Sequence, residues 1–262
     1  EAPYGQTPDF SSYDGSADFV FTWNGTTSGT RIANADFIPA SRDGITICDA
    51  TSAAFAQKLD WDKLDVTTFS WQKVMGGEAA HGMLVLSPKA VERIEAYDPP
   101  WPLPKIFRMK KAGKLNEGIF KGATINTPSM LATEDYIAAL EWAKTVGGTQ
   151  GLLDRADNNA QVLWDWIDRT PWIKNLAEKD EERSNTGVCM VFNDDRITDA
   201  AAFAKAFVAL LADENVAYDF GAYRDAPAGL RIWAASAVEQ SNLEALLPWL
   251  DWAFETLIQK EG

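Results

Sequence analysis

The sequence predicts an α/β fold, with a mainly parallel sheet in the first part of the chain and a smaller α+β unit after it. Three observations carry that expectation. Short apolar runs rich in β-branched and aromatic residues alternate with polar or helical connections through the amino-terminal part, as in a sheet covered on both faces. Beyond about residue 128 the apolar period lengthens to that of amphipathic helices. The length of 262 residues allows one large domain or two modest ones, at roughly 100–200 residues each. The chain is expected to divide into units 1–147 and 148–262.

Residues 1–15 are rich in Pro, Ser, Asp and Gly and read as an irregular surface segment, which starts without Met as a stretch from inside a longer protein would. Residues 19–23 form a strand pattern that ends in the turn-like Asn24-Gly25-Thr26-Thr27-Ser28-Gly29. A second run, 45–48, ends at Asp49, and a third, Val66–Ser70, leads into Trp71-Gln72-Lys73. Residues 83–86 run into Ser87-Pro88, a helix cap followed by a first-turn proline.

In the second part, Thr133 is expected to cap a helix carrying Tyr136, Leu140 and Ala143, with Gly147-Gly148 as its stop. Leu153, Ala156, Ala160, Leu163 and Ile167 repeat at alternating spacings of 3 and 4, one buried stripe of a second helix. Gly187–Phe192 reads as a strand, and Phe203, Phe207 and Leu210 mark another helix face. Ser241-Asn242-Leu243-Glu244 is a capping box for the last helix, which Pro248 is expected to kink or interrupt. No internal repeat is visible.

Composition removes several functions. With 46% hydrophobic and 24% charged residues the chain is an ordinary globular one, not a disordered or collagenous one. Lys+Arg 24 against Asp+Glu 38 gives a net charge of −14. That is the wrong sign for phosphate backbones or anionic membranes, although a few placed arginines can still bind a small anion. No run reaches the roughly 18 apolar residues of a membrane helix, and none has the basic-then-apolar order of a signal peptide. The expectation is an intracellular, cytoplasmic protein.

Two cysteines, Cys48 and Cys189, and one histidine, His81, leave no disulfide framework and no ligand set for a structural metal. A serine triad would have to use His81, and no G-x-S-x-G accompanies it. Asn24-Gly25-Thr26 is a glycosylation sequon of no consequence without secretion. The helical tryptophans Trp142, Trp164, Trp166, Trp249 and Trp252 read as core or interface anchors. Trp23 and Trp71 read as core packing beside site motifs, Cys48 as a small buried apolar residue, and 179–183 as a solvated loop.

Asp49 and Lys73, 24 residues apart, each follow an apolar strand. Ligands of open α/β sheets sit at the carboxyl ends of strands. An amine and a carboxylate placed there by neighbouring strands are what an aldehyde cofactor with a basic ring nitrogen needs. Spacing alone leaves a plainer alternative open, with Asp49 as a helix cap and Lys73 as a solvated turn residue.

Four stretches in order narrow the choice: Phe21 through Gly29, Ile47-Cys48-Asp49-Ala50-Thr51-Ser52-Ala53, Ser70-Trp71-Gln72-Lys73-Val74-Met75-Gly76-Gly77, and Gly122-Ala123-Thr124-Ile125-Asn126-Thr127-Pro128-Ser129. Together they resemble the phosphoserine aminotransferase family, pyridoxal-phosphate-dependent transaminases of fold type I, and the resemblance runs the length of the chain. It implies that Lys73 forms the Schiff base with the cofactor and shuttles the substrate proton, and that Asp49 pairs with the pyridine nitrogen. It further implies that Thr26 bonds the cofactor's phenolic oxygen and that Gln72 contacts its phosphate. Asn126 and Thr127 would reach the phosphate in a neighbouring subunit's site, hence a homodimer with shared active sites.

Arg231, in Gly229-Leu230-Arg231-Ile232, matches the arginine for the substrate α-carboxylate. Arg224 is the candidate for the substrate phosphate, although Tyr223-Arg224 stands where many members carry His-Arg, with one extra residue before Arg231. The implied reaction exchanges an amino group between glutamate and 3-phosphohydroxypyruvate, a small phosphorylated 2-oxo acid, giving O-phosphoserine and 2-oxoglutarate in serine biosynthesis. A related four-carbon substrate of pyridoxine biosynthesis stays open. Family members carry a substantial portion ahead of the position of Glu1, so the chain is expected to expose an apolar sheet edge. The alternatives are another class V fold-type-I aminotransferase, or a truncated chain that is not competent alone. A cysteine desulfurase fits poorly, because both cysteines lie in strand-like runs.

Overall fold

The computed structural model describes residues 1–261. After an irregular start come strands β1 (Phe19–Thr22), β2 (Asn24–Gly25), β3 (Thr30–Arg31), β4 (Thr46–Asp49), β5 (Val66–Ser70) and β6 (Gly82–Leu86), then helix α1 (Pro88–Ala96). A small hairpin of β7 (Lys110–Lys111) and β8 (Lys114–Leu115) precedes helices α2 (Met130–Thr145) and α3 (Gly148–Asp168). Strands β9 (Ile173–Asn175) and β10 (Gly187–Phe192), helix α4 (Ala200–Asp213), strand β11 (Gly229–Trp233) and helix α5 (Gln240–Glu261) complete the order.

The first sheet has the order β1-β4-β5-β6, with β4 parallel to both β1 and β5 and β6 antiparallel to β5. Each predicted strand in it lies within one residue of the expected position, because Asp49 and the cap Ser87 terminate the runs chemically. The Ser87 Oγ accepts from the Ala90 N–H at 3.1 Å and donates to Asp65 Oδ1 at 2.8 Å, so one hydroxyl starts α1 and ties it to the sheet. One face of this sheet, with Cys48 and partly buried Phe21, packs on Trp23, Ile38, Leu59 and Leu64. The other face is open: Val20 is 72% exposed, and Thr22 and Asp49 are exposed beside it. Cover on both faces, expected from the apolar runs, therefore holds for one face of the described residues.

The second sheet, β11-β10-β9, is antiparallel throughout. It packs with α3, α4 and α5 around Trp166, Phe203, Phe207 and Phe254. Several expectations are corrected here. Helix α2 is capped by Ser129, whose Oγ accepts from the Ala132 N–H, and Thr133 lies inside the first turn with its hydroxyl on the Ser129 carbonyl. The buried stripe of α3 begins at Leu152, with Leu153 only half-buried, and that of α4 ends at Leu211 in place of Leu210. Helix α5 opens at Gln240, ahead of Ser241, and continues through Pro248. Buried Leu243, Leu247, Leu250, Phe254 and Leu257 hold it against the core, so tertiary packing outweighs the lost backbone bond. The segment 179–183 is likewise more than a solvated loop. Glu182 is buried, pairs with Lys179 at 2.9 Å and accepts from the Thr7 N–H, which fastens the amino-terminal segment.

Candidate active site

The β2–β3 hairpin presents Thr26, and the second sheet clamps that hairpin in place. Gly29 has φ +68, and a Cβ there would stand 2.7 Å from the Cβ of Cys189, so only glycine fits the close approach. The Ser184 N–H donates to the Gly29 carbonyl at 2.9 Å, and the Cys189 thiol lies 3.5 Å from the Thr26 carbonyl. Thr26 Oγ1 donates to Ser52 Oγ at 2.7 Å, while Thr186 Oγ1 donates to the Ser52 carbonyl at 3.0 Å. Asn24, the sequon residue, is buried and accepts from both Gln57 Nε2 and Ser184 Oγ at 2.7 Å. That places it inside a polar network, where no glycan could be attached.

Asp49 ends β4 and Lys73 lies in the turn past the end of β5, the neighbouring parallel strand. The Asp49 carboxylate is exposed at the carboxyl edge and accepts from the Thr51 N–H at 2.8 Å. Backbone bonds from Gly76 N–H to the Lys73 carbonyl and from Gly77 N–H to the Trp71 carbonyl, each 3.1 Å, tighten the Lys73 turn. Buried Val74 and Met75 anchor it. Trp71 stacks on Tyr136 with ring centroids 4.1 Å apart, and the His81 ring packs against it with centroids 4.5 Å apart. Trp71 and His81 thus brace the lysine turn.

A cleft of about 500 Å³ joins the two sheets and is lined by Thr26, Gln72, Lys73, Asp219, Arg231 and Trp233, among others. Its size falls within the usual range for small-molecule sites. Among the described residues, neither the Lys73 ammonium nor the Arg231 guanidinium makes an ion pair or side-chain hydrogen bond, and the buried Gln72 Oε1 has no partner. Arg231 has only the Tyr223 ring, 5.9 Å from its Cζ, and Lys73 Nζ has the Trp233 ring at 5.5 Å. Two free cations facing one cavity in a chain of net charge −14 form a receptor for an anionic ligand. A larger recess of about 890 Å³ lies by Tyr4, Ile173 and Arg183, but Arg183 is there already paired with Asp180 at 2.8 Å.

The cleft thus gathers Thr26, Gln72, Lys73 and Arg231 from the residues expected at the site. Asp49 stands at the same sheet edge without lining the cavity. Asn126 and Thr127 lie exposed on the segment before α2, and Arg224 is exposed with Asp225 3.9 Å away. Both thiols are buried, and burial pushes each of them up to about 12, so neither is a nucleophile. Trp233 and Ser52 were not foreseen. Strand alternation could have found Trp233, two residues beyond Arg231 and therefore on the same face.

A scan against protein-family models found no match. Curated proteins do match. The chain is 53% identical to the phosphoserine aminotransferase of Methanosarcina mazei over 97% of its length and 68% of the relative's. It is also 53% identical to the Methanosarcina barkeri protein of the same name, over 97% of its own length and 67% of that relative's. The chain belongs to the phosphoserine aminotransferase family. It spans about two thirds of the length of these family members. Among solved structures, the phosphoserine aminotransferase of Bacillus circulans subsp. alkalophilus superposes with a TM-score of 0.77 at 18% identity, over 99% of this chain and 65% of that one. The pyridoxal-phosphate-bound enzyme of Trichomonas vaginalis gives 0.71 at 19% identity, over 89% and 60%. At these identities the two structures establish the fold, a fold-type-I aminotransferase architecture, and the sequence relatives establish the family.

The donor set suits pyridoxal phosphate. A primary amine without a partner, a strand-end carboxylate without a cation and a hydroxyl held at 2.7 Å from a second hydroxyl are the groups an aldehyde, a ring nitrogen and a phenolic oxygen call for.

Proposed function

We propose that this chain carries the cofactor and substrate groups of a phosphoserine aminotransferase. It would exchange the amino group between glutamate and 3-phosphohydroxypyruvate to give O-phosphoserine and 2-oxoglutarate in serine biosynthesis. The observation that carries the reading is the shared cleft, in which the unpaired Lys73 amine and Arg231 guanidinium face one cavity; the curated relatives support the substrate pair. Pyridoxal phosphate bound there supplies an aldehyde for amine exchange and a ring that takes up the electron pair left at the substrate Cα.

Lys73 Nζ would take the proton from the substrate Cα and deliver it to the cofactor's aldehyde carbon, the work of a general base and then acid. Asp49 keeps the ring nitrogen protonated, Thr26 bonds the phenolic oxygen, and Gln72 holds the phosphate. Arg231 grips the α-carboxylate through two parallel hydrogen bonds and so orients the Cα–H bond. Arg224 serves the substrate phosphate.

In a homodimer, Asn126 and Thr127 of each copy complete the phosphate site of the other. Exposed Ile106, Phe107, Met130 and Leu131, flanking that segment at 62–72% exposure, support its packing on a second copy. The unit 1–147 then carries the cofactor groups and 148–262 the substrate arginines. The metabolic relatives and the two free, buried cysteines support a cytoplasmic location.

The test adds pyridoxal phosphate to the 262-residue chain, records the visible absorbance before and after borohydride, and maps the adduct. The adduct is expected on Lys73 and absent from Lys73→Ala, with transamination falling by about 10²–10⁴-fold, the range of a lost general acid–base. Labelling spread over surface lysines, or an unchanged spectrum in Lys73→Ala, overturns the reading.

A further inference from the structure

Arg231 and Trp233 project from β11 toward the cleft, while Leu230 and Ile232 alternate into the core behind them. Across the β10–β11 ladder Trp233 pairs with Gly187, where a Cβ would stand 3.3 Å from the Cγ2 of Thr26. The Lys73 ammonium stands 5.5 Å from the centroid of that ring. Among the described residues no carboxylate lies within ion-pair distance of the ammonium. The choice of partner matters chemically. A carboxylate would hold the amine as a salt and could itself accept its proton, whereas an aromatic face attracts a cation through its quadrupole and accepts no proton.

We propose that Trp233 is a positioning residue for Lys73. Its indole face holds the lysine's long, flexible stem over the cleft, on the wall that also presents Arg231. Residues two apart on one strand sit about 7 Å from each other, so one short stretch of β11 presents both the ring beside the amine and the carboxylate-binding guanidinium. This rests on the reading of Lys73 as the cofactor lysine, and it adds a residue from the other sheet to the lysine's surroundings. The two units are thereby coupled at the reacting amine, because a shift of β11 moves both the substrate arginine and the platform under Lys73.

The test uses two readouts that a merely structural tryptophan would not move. Reductive ¹³C-methylation of the lysines, with Lys73→Arg to assign the signal, is expected to show the Lys73 methyls displaced upfield by the indole ring current. That displacement should vanish in Trp233→Leu and persist in reduced form in Trp233→Phe. Borohydride trapping of pyridoxal phosphate at Lys73 should slow about fivefold in Trp233→Leu, the worth of one cation–π contact, and recover to within about twofold in Trp233→Phe, which keeps an aromatic face. An undisplaced Lys73 signal in the unaltered chain, or trapping unchanged by Trp233→Leu, overturns the proposal. The first measurement needs no tryptophan variant, so misfolding of Trp233→Leu cannot mask the outcome. Should the unaltered chain trap no cofactor on Lys73, the proposed function fails, and the methyl signal still decides whether Trp233 holds the amine.

Discussion

The sheet β11-β10-β9 is wrapped by three helices, and Trp166, Phe203, Phe207 and Phe254 in its core are at most 2% exposed. The sheet β1-β4-β5-β6 has a core on one face and leaves Val20 at 72% exposure on the other. The closed sheet contributes one wall of the cleft and is rigid enough to hold Arg231 and Trp233. The open sheet carries Asp49 and Lys73 at strand ends, where the Asp49 carboxylate accepts from the Thr51 N–H and the Lys73 ammonium has no ion-pair partner among the described residues. Both sheets thus contribute groups to the cleft, the closed one from a strand of its core and the open one from its strand ends.

The largest effect that can test this contrast is in the closed core. Phe207→Ala should cost about 3–5 kcal/mol, the usual range for a fully buried aromatic. Val20→Thr on the open face should change stability by no more than about 0.5 kcal/mol. Urea denaturation of the two variants measures both. A Val20→Thr cost comparable with that of Phe207→Ala would mean that the open face is covered in solution.

The open sheet has one buried ionic anchor. Arg42 and Asp65 pair at 2.8 Å with side chains 7% and 4% exposed, and the Arg42 guanidinium also reaches the Pro39 and Lys63 carbonyls. Arg42→Met should cost about 3 kcal/mol, because it strands a buried carboxylate. Burial alone would push the Asp65 carboxyl up, but the Thr46 N–H, the Ser87 hydroxyl and Arg42 together hold it below its ordinary value of 3.8. A carboxyl bound less tightly to its proton in the folded state contributes stability that is complete above the unfolded value and is lost as pH falls through the folded one. Thermal melts of the chain should therefore weaken below about pH 4, and less so in Asp65→Asn. An acid limb identical in the two would remove Asp65 from the account.

Much of this was readable in the sequence, and the reasons are local. Asp49 and the Ser87-Pro88 pair end apolar runs with their own hydrogen-bonding chemistry, so the strands β4 and β6 were placed within one residue. The cleft residues Thr26, Gln72, Lys73 and Arg231 were legible through motif resemblance, since each sits in a short stretch whose geometry is locally dictated. What escaped depended on long-range packing. The sequence suggests Thr133 as the cap of α2, whereas Ser129, one turn earlier, caps it. Pro248 is a helix breaker by propensity, yet the apolar stripe of α5 carries the helix past it. Trp233 was hidden because its partner, Lys73, is 160 residues away in the chain and belongs to another sheet.

The smallest effect sharpens the same comparison from the closed side. Asp251 lies on α5, where the Trp166 Nε1–H donates to its Oδ1 at 3.2 Å. Partial burial pushes this carboxyl above its ordinary value of 3.8, against the weaker downward pull of that hydrogen bond and of Arg169. The sign is opposite to that of Asp65. The folded state binds the proton more tightly, so the stability gained from the protonated form is present below the unfolded value and is lost as pH rises through the folded one. Asp251→Asn keeps an acceptor oxygen for Trp166 and removes the ionisation, so it should stabilise the chain slightly at neutral pH. Its advantage should shrink toward zero as the pH is taken below 4, where both forms are uncharged. The gain is small because the carboxyl is largely solvated, and paired melting curves at pH 7 and pH 3.5 would detect it. An advantage that grew on acidification would place Asp251 with Asp65, as a carboxylate held by its charge, and would leave the two regions without an electrostatic distinction.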